Sequence, residues 1–242
     1  MIEIKKSIIN LWSKLGKPFR NQLTSFHYNF SAGTEFKHIK RVMCYSKKHI
    51  FNIVDGGSAN GGTIIAWKKF FPESFVYAFE PIENDEIKRV EESFSKVKVS
   101  FLALGSKEET KKLNVNKYSD TSSFYNNISS ERNYQREKAI DVKVTTLDKW
   151  CNKNYVNVDI LKLDLQGYEL EALKGAKEQL ENNIEYILLE ASFREFYVNQ
   201  PLFCAIEEFL KKYNFILYNM YKGYEGKIGF VNCLFVKDYE RN

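Results

Sequence analysis

Histidine is scarce in this 242-residue chain, and its three copies, His27, His38 and His49, all fall in the first fifth. A serine-histidine triad or a His-rich metal site in the other four-fifths is therefore excluded, and catalysis there must run on carboxylates, lysines, hydroxyls or a cofactor. Cysteine is nearly as sparse. Cys44, Cys151, Cys204 and Cys233 form no CxxC pair, so neither a zinc knuckle nor a disulfide framework is suggested, and a reducing, cytoplasmic setting fits best. No stretch approaches the roughly 18–20 consecutive apolar residues of a membrane-spanning helix. Strong charge is missing too: 36 Lys+Arg against 31 Asp+Glu leave +5 with the histidines neutral. With no clustered basic run, nothing offers a nucleic acid a phosphate track.

What remains is an ordinary folded composition, 44% hydrophobic and 28% charged, in a chain long enough for one large or two small domains. The N-terminus lacks the uncharged apolar run and cleavage site of a secretion signal and reads as part of the mature protein. There Ile4, Ile8, Leu11, Trp12 and Leu15 recur at helical spacing, which predicts an amphipathic helix within a helical extension over residues 1–48. Its apolar stripe packs on the domain or on a sister subunit in a homodimer. The alternative is peripheral contact of residues 1–20 with an anionic membrane surface, at the inner membrane face, because Lys5, Lys6, Lys14, Lys17 and Arg20 outnumber Glu3.

From residue 49 to 242 the texture alternates. Apolar runs of strand length at 50–54, 75–79, 97–102, 160–163 and 186–189 are separated by helix-like stretches such as 63–71, 85–94 and 169–180. Parallel neighbours need crossover connections, so this pattern predicts a doubly wound α/β domain. A helix over 202–212 then leads to two β-rich runs, 215–219 and 230–236, joined by a glycine-bearing loop and so expected to pair antiparallel. Between residues 105 and 141 the pattern fails, leaving a long polar segment with one β-like patch at 112–116, which reads as a lid or substrate loop.

The first strand runs into Asp55-Gly56-Gly57-Ser58-Ala59-Asn60-Gly61-Gly62. Small residues let the backbone turn tightly against a ligand at the carboxyl edge of the sheet. An acid at the strand end disfavours a pyrophosphate and suits a ligand carrying positive charge, such as the amino group and sulfonium of S-adenosylmethionine. The second strand ends in Glu80-Pro81, near the interval at which such folds place an acid on ribose hydroxyls. Ala103-Leu104 ends the third, where a small residue could leave space for adenine. The cofactor-binding set is therefore Asp55, Gly57, Ser58, Asn60, Gly61, Glu80, Pro81, Ala103 and Leu104.

In these residues the sequence resembles the FkbM-type family of S-adenosylmethionine-dependent methyltransferases. The resemblance is carried, in order, by Asp55-Gly56-Gly57, Glu80-Pro81, Thr146-Leu147-Asp148, Lys162-Leu163-Asp164-Leu165-Gln166-Gly167-Tyr168-Glu169 and Leu189-Glu190. It implies a class I, Rossmann-like methyltransferase sheet of order 3-2-1-4-5-7-6 with strand 7 antiparallel, and O-methylation of a sugar in a nucleotide sugar or a surface polysaccharide. Two positions depart from the family. Ala59-Asn60 sits one place later than the usual A-N pair, and Gln166 stands where a glutamate is usual, so any base or metal-ligand role of that glutamate must fall on Asp164 or be absent.

Methyl transfer asks the protein to align three atoms and remove one proton. Asp164 is the first candidate base and Glu190 the second, each with a structural alternative: a helix cap for Asp164, and a buried pair with Lys162 or Arg194 for Glu190. Oxygen ligands from these two acids and a sugar diol would suit magnesium, but no recognised ligand spacing supports a metal. Thr121, Ser122, Ser123 and Tyr125 in the polar segment are the candidate substrate-binding residues. Two rival readings are an NAD(P)-dependent short-chain reductase or sugar-nucleotide epimerase, with Tyr134 and Lys138 as its Y-x-x-x-K pair, and a non-catalytic membrane- or glycan-binding relative.

Overall fold

The computed structural model describes residues 34–46, 50–128, 135–221 and 229–239. The expected helix near residues 4–15 and Tyr134 lie outside them. Of the N-terminal extension, α1 (Thr34–Ser46) is described; it buries Phe36 and Ile39, and Phe36 packs edge-on against Trp67 of the following helix with ring centroids 4.4 Å apart.

Strands β1 (Asn52–Gly56), β2 (Phe75–Phe79) and β3 (Val97–Ser100) alternate with α2 (Gly62–Phe70) and α3 (Asp85–Ser93). The short runs of branched and aromatic residues form strands because each is covered on both faces, as a parallel sheet between helices requires. Two-residue β4 (Ala103–Leu104) leads to β5 (Glu109–Asn116), β6 (Arg136–Thr145) and α4 (Leu147–Asn154). The chain then returns to the main sheet through β7 (Ile160–Leu163), α5 (Glu169–Lys174), α6 (Lys177–Asn182), β8 (Tyr186–Ser192), α7 (Phe203–Lys211), β9 (Phe215–Tyr221) and β10 (Phe230–Lys237).

The main sheet has seven strands in the order β3-β2-β1-β7-β8-β10-β9. Counted within the sheet this is 3-2-1-4-5-7-6, and the last strand runs antiparallel to both neighbours. The strand order reverses at β1, which pairs in parallel with β2 on one side and β7 on the other, so the crevice of this doubly wound sheet opens at the carboxyl ends of β1 and β7. One apolar cluster, with Leu161, Leu189 and Phe235, fills one face; the other, with Ile53, Trp67 and Ile160, fills the opposite face. Among the described residues no helix is long and apolar enough to cross a membrane.

Two expectations are corrected. Residues 105–141 are not one loop: β5 and β6 make an antiparallel ribbon that forms a second sheet with β4. Its strands are hard to read because much of their length is exposed and the outward side chains are Lys, Glu and Asp. The helix expected over 169–180 is two helices separated at Gly175, where a Cβ would collide with the carbonyl oxygen of Gly105.

Candidate active site

The glycine loop is tied to both flanking strands. Gly57 and Ser58 donate their backbone N–H groups to the Phe79 carbonyl at 2.9 and 3.3 Å, and the Ser58 hydroxyl donates to the Asp55 carbonyl at 2.8 Å. Gly57 has φ +74, and a Cβ there would strike the Asp164 carbonyl oxygen. Gly57→Ala is expected to cost at least about 2 kcal/mol in urea unfolding, from the left-handed backbone and the displaced strand tip together. Asn60 accepts from the Gly62 N–H at 3.2 Å at the entry to α2, and buried Gly61 is that helix's cap residue.

Asp55 is fully buried; the Lys162 ammonium is the donor at Oδ1, and Oδ2 receives no hydrogen bond. Its charge is met by the Lys162 ammonium 3.1 Å away, itself 4% exposed. Lys162 directs its protons to the carbonyls of Gly56 and Gly57, at 3.3 and 3.0 Å. Burial alone would lower the Lys162 pKa, but Asp55, Asp164 and Glu190 outweigh it, and the ammonium is held above its ordinary value.

Glu80 ends β2 with each carboxylate oxygen accepting one backbone N–H at 2.9 Å, from Ala59 and from Ile82. Burial pushes its pKa up to about 7 against those two donors and Lys162. Pro81 beside it is half-buried. Ala103 and Leu104 are buried in the core, Leu104 in the same cluster as Val54 and Phe79.

Asp164 follows the last residue of β7, and Glu190, expected to end its strand, lies two residues inside the end of the adjacent β8; both are half-buried. Gln166 lies between them: its amide nitrogen donates to Asp164 Oδ1 at 2.9 Å and reaches Glu190 Oε2 at 3.5 Å. Burial, then the charges of Asp164 and Glu169, push Glu190 well above the ordinary carboxylate range against the opposing Lys162. Asp164 does not cap the Glu169–Lys174 helix, whose cap residue is Tyr168 with no side-chain cap bond. The N–H groups of Leu165 and Gly167 go to Glu169 Oε1, at 2.7 and 3.3 Å, not to Asp164. The buried lysine pairs with Asp55, not with Glu190.

Sequence reasoning missed two contributors. The Tyr197 hydroxyl, from the loop after β8, lies 2.8 Å from Gln166 Oε1, and nothing in its neighbours' spacing marks it. Asp120 is held above its ordinary value by partial burial and then by the charge on Asp164. The Thr146-Leu147-Asp148 motif is scaffolding. Thr146 caps α4 by accepting from the Lys149 N–H at 3.2 Å, and Asp148 accepts from Glu178 and Gln179 N–H, both at 3.0 Å, at the start of α6.

The four candidate substrate residues lie on residues 117–128, which cross above the tips of β7 and β8. Their polar groups are engaged within the fold: Thr121 Oγ1 donates to the Tyr118 carbonyl at 2.8 Å, Ser122 Oγ accepts from Asn116 N–H at 3.2 Å, and Ser123 Oγ donates to the Gln166 carbonyl at 2.7 Å. Tyr125 packs near the Tyr168 ring, 5.7 Å between centroids, and its hydroxyl pKa is pushed up to about 12 by burial and then by Glu171. Among the described residues no group of three or more His, Cys, Asp or Glu is placed to hold a metal ion.

The FkbM methyltransferase domain matches residues 58–217, about two-thirds of the chain. The chain belongs to the FkbM methyltransferase family. An FkbM methyltransferase from Methylobacillus flagellatus aligns with a TM-score of 0.52 at 13% identity, covering 77% of this chain and 43% of that one. This FkbM chain therefore spans less than half the length of that relative. Magnesium protoporphyrin IX methyltransferase from Synechocystis, crystallised with S-adenosylmethionine, aligns at 0.49 and 10% identity over 84% of this chain and 78% of that one. A putative tRNA methyltransferase from Streptococcus pneumoniae, also in complex with S-adenosylmethionine, aligns at 0.46 and 12% over 83% and 72%. No curated protein matches the FkbM chain in sequence. Family membership displaces the reductase reading, and Lys138, which a reductase would carry on a helix, lies on strand β6.

Proposed function

We propose that this enzyme transfers a methyl group from S-adenosylmethionine to a sugar hydroxyl, in a nucleotide sugar or a surface polysaccharide. The observation that carries the reading is the pair of carboxylates at the tips of β7 and β8, beside a glycine loop whose two acids suit the donor. Asp55 has one buried oxygen paired with Lys162 at 3.1 Å and a second without a donor, and its negative charge favours a cationic ligand nearby. Glu80 keeps one acceptor direction on each oxygen beyond its backbone bonds, enough for a ribose diol. When bound, S-adenosylmethionine supplies a methyl group on a sulfonium, which an oxygen nucleophile displaces in line.

The protein's own part is positioning and one proton. Asp164 accepts the proton of the attacking hydroxyl, and Gln166 keeps that carboxylate aimed by its 2.9 Å bond. Glu190, favoured in its protonated form, donates to a neighbouring sugar oxygen. Residues 117–128 act as the cover that excludes water, and the remaining lone pairs of Thr121, Ser122 and Ser123, with the Tyr125 ring, contact the acceptor. The test is incubation with methyl-labelled S-adenosylmethionine and a panel of nucleotide sugars. Label transferred to a sugar oxygen supports the reading, and label transferred to no member while a nitrogen or carbon acceptor reacts overturns it.

A pH dependence follows from Glu80. Ribose hydroxyls donate to its ionised form, so donor affinity is expected to fall about tenfold per pH unit below about pH 7 and to level off above it. Calorimetric titration across that range checks the slope. The sign for the free protein is opposite. Glu80 and Glu169 titrate near 7 when folded and near the ordinary 4.5 when unfolded, so the folded state holds more protons between those values. Stability from these groups is present below about 4.5 and is lost as pH rises toward about 7.

A further inference from the structure

Four contacts through two residues, Tyr197 and Gln166, link the covering segment to the acid pair. The Tyr197 hydroxyl, on a side chain 2% exposed, lies 3.0 Å from the Thr121 carbonyl and 2.8 Å from Gln166 Oε1. It has one proton for two acceptors. Gln166 then presents its amide nitrogen to Asp164 and Glu190. The tyrosine itself is clamped: Gln200 Oε1 accepts from the Tyr197 and Phe196 N–H groups at 3.2 and 3.0 Å, and Gln200 Nε2 donates to Ser192 Oγ at 2.7 Å. Independently of the hydroxyl, the backbone of 196–198 pairs with residues 126–128, through Ile128 N–H to the Phe196 carbonyl at 3.0 Å and Val198 N–H to the Asn126 carbonyl at 2.8 Å.

We infer that Tyr197 is a positioning residue that couples seating of residues 117–123 over the crevice to alignment of Asp164 and Glu190 through the Gln166 amide. This deepens the proposed methyl transfer and rests on it for its catalytic meaning. A glutamine is required at position 166 for the coupling. Its oxygen accepts from the tyrosine while its nitrogen donates to both acids, whereas a carboxylate would accept from the tyrosine and repel both. The groups facing Glu190 are Asp164 and Glu169, which favour its protonated form, Lys162, which opposes them, and the Gln166 amide. Asp120 adds its charge on the far side of Asp164.

The coupling is read on the ligand-free full chain by hydrogen exchange and by carboxyl-carbon NMR titration of Glu190. In Tyr197→Phe the amides of residues 119–123 are expected to exchange about fivefold faster, the loss of one hydrogen bond, while those of 126–128 are unchanged. In the same variant Glu190 is expected to titrate at higher pH, because an unanchored amide no longer favours its ionised form. Gln166→Ala is expected to raise the pH at which Glu190 titrates as well, since the amide donor is gone, and it keeps the test available if the tyrosine variant folds poorly. Faster exchange with an unmoved Glu190, a moved Glu190 with unaltered exchange, or a loss of protection spread over the whole protein would each overturn the inference. Calorimetry with S-adenosylhomocysteine is run alongside: coupling observed in a protein that does not bind it would sink the donor assignment and leave the coupling standing.

Discussion

Lys162→Met is expected to destabilise the protein by about 3–5 kcal/mol, measured as a shift in the urea midpoint with unchanged slope. The ammonium and the Asp55 carboxylate are 4% and 0% exposed and 3.1 Å apart. Removing the cation leaves a buried carboxylate with no remaining donor, and it also strips two carbonyls of the glycine loop of their donor. Asp55→Asn added to Lys162→Met should recover much of the loss, because the uncompensated charge is gone while the shape is kept. A single variant as stable as the wild type would mean that the pair is solvated and that Asp55 carries no buried charge. The contribution should be complete at neutral pH. Lys162 is held above its ordinary 10.5 in the fold, so its stabilisation is present below that value and is lost only as alkali carries the pH through the raised folded value.

The same buried pair explains why the crevice was legible as a place and obscure as a mechanism. Short apolar runs at 75–79 and 160–163 coincide with β2 and β7, since a strand buried on both faces has little choice but to be continuously apolar. The glycine loop, Glu80, Asp164 and Glu190 are visible because chain order and strand ends place them at one edge of the sheet. What the pattern hides is partnership between distant positions. Lys162 read as a candidate partner for Glu190, yet strand register sets it beside Asp55. Tyr197 meets Gln166 only because the loop after β8 folds back over the sheet. The ribbon of β5 and β6 escaped because its burial alternates weakly and its outward residues match the composition of a solvated loop. Glu169, at the end of a family block, stabilises the bend after Asp164 by accepting backbone N–H groups, a role no spacing argument distinguishes from catalysis.

Asp164→Asn is expected to lower turnover by ~10² or more while leaving donor affinity within about threefold. The substitution is close to isosteric, and the new amide oxygen can still accept from Gln166 Nε2, which lies 2.9 Å from the present carboxylate. Geometry is therefore kept and only the capacity to take a proton is lost. Glu190→Gln should be milder, because burial, Asp164 and Glu169 push Glu190 well above the ordinary carboxylate range and so favour its protonated form; an amide reproduces that donor. Steady-state rates against pH separate the two acids. If Glu190 were the base, activity would climb with pH through its raised titration, Glu190→Gln would abolish that climb, and Asp164→Asn would turn over normally.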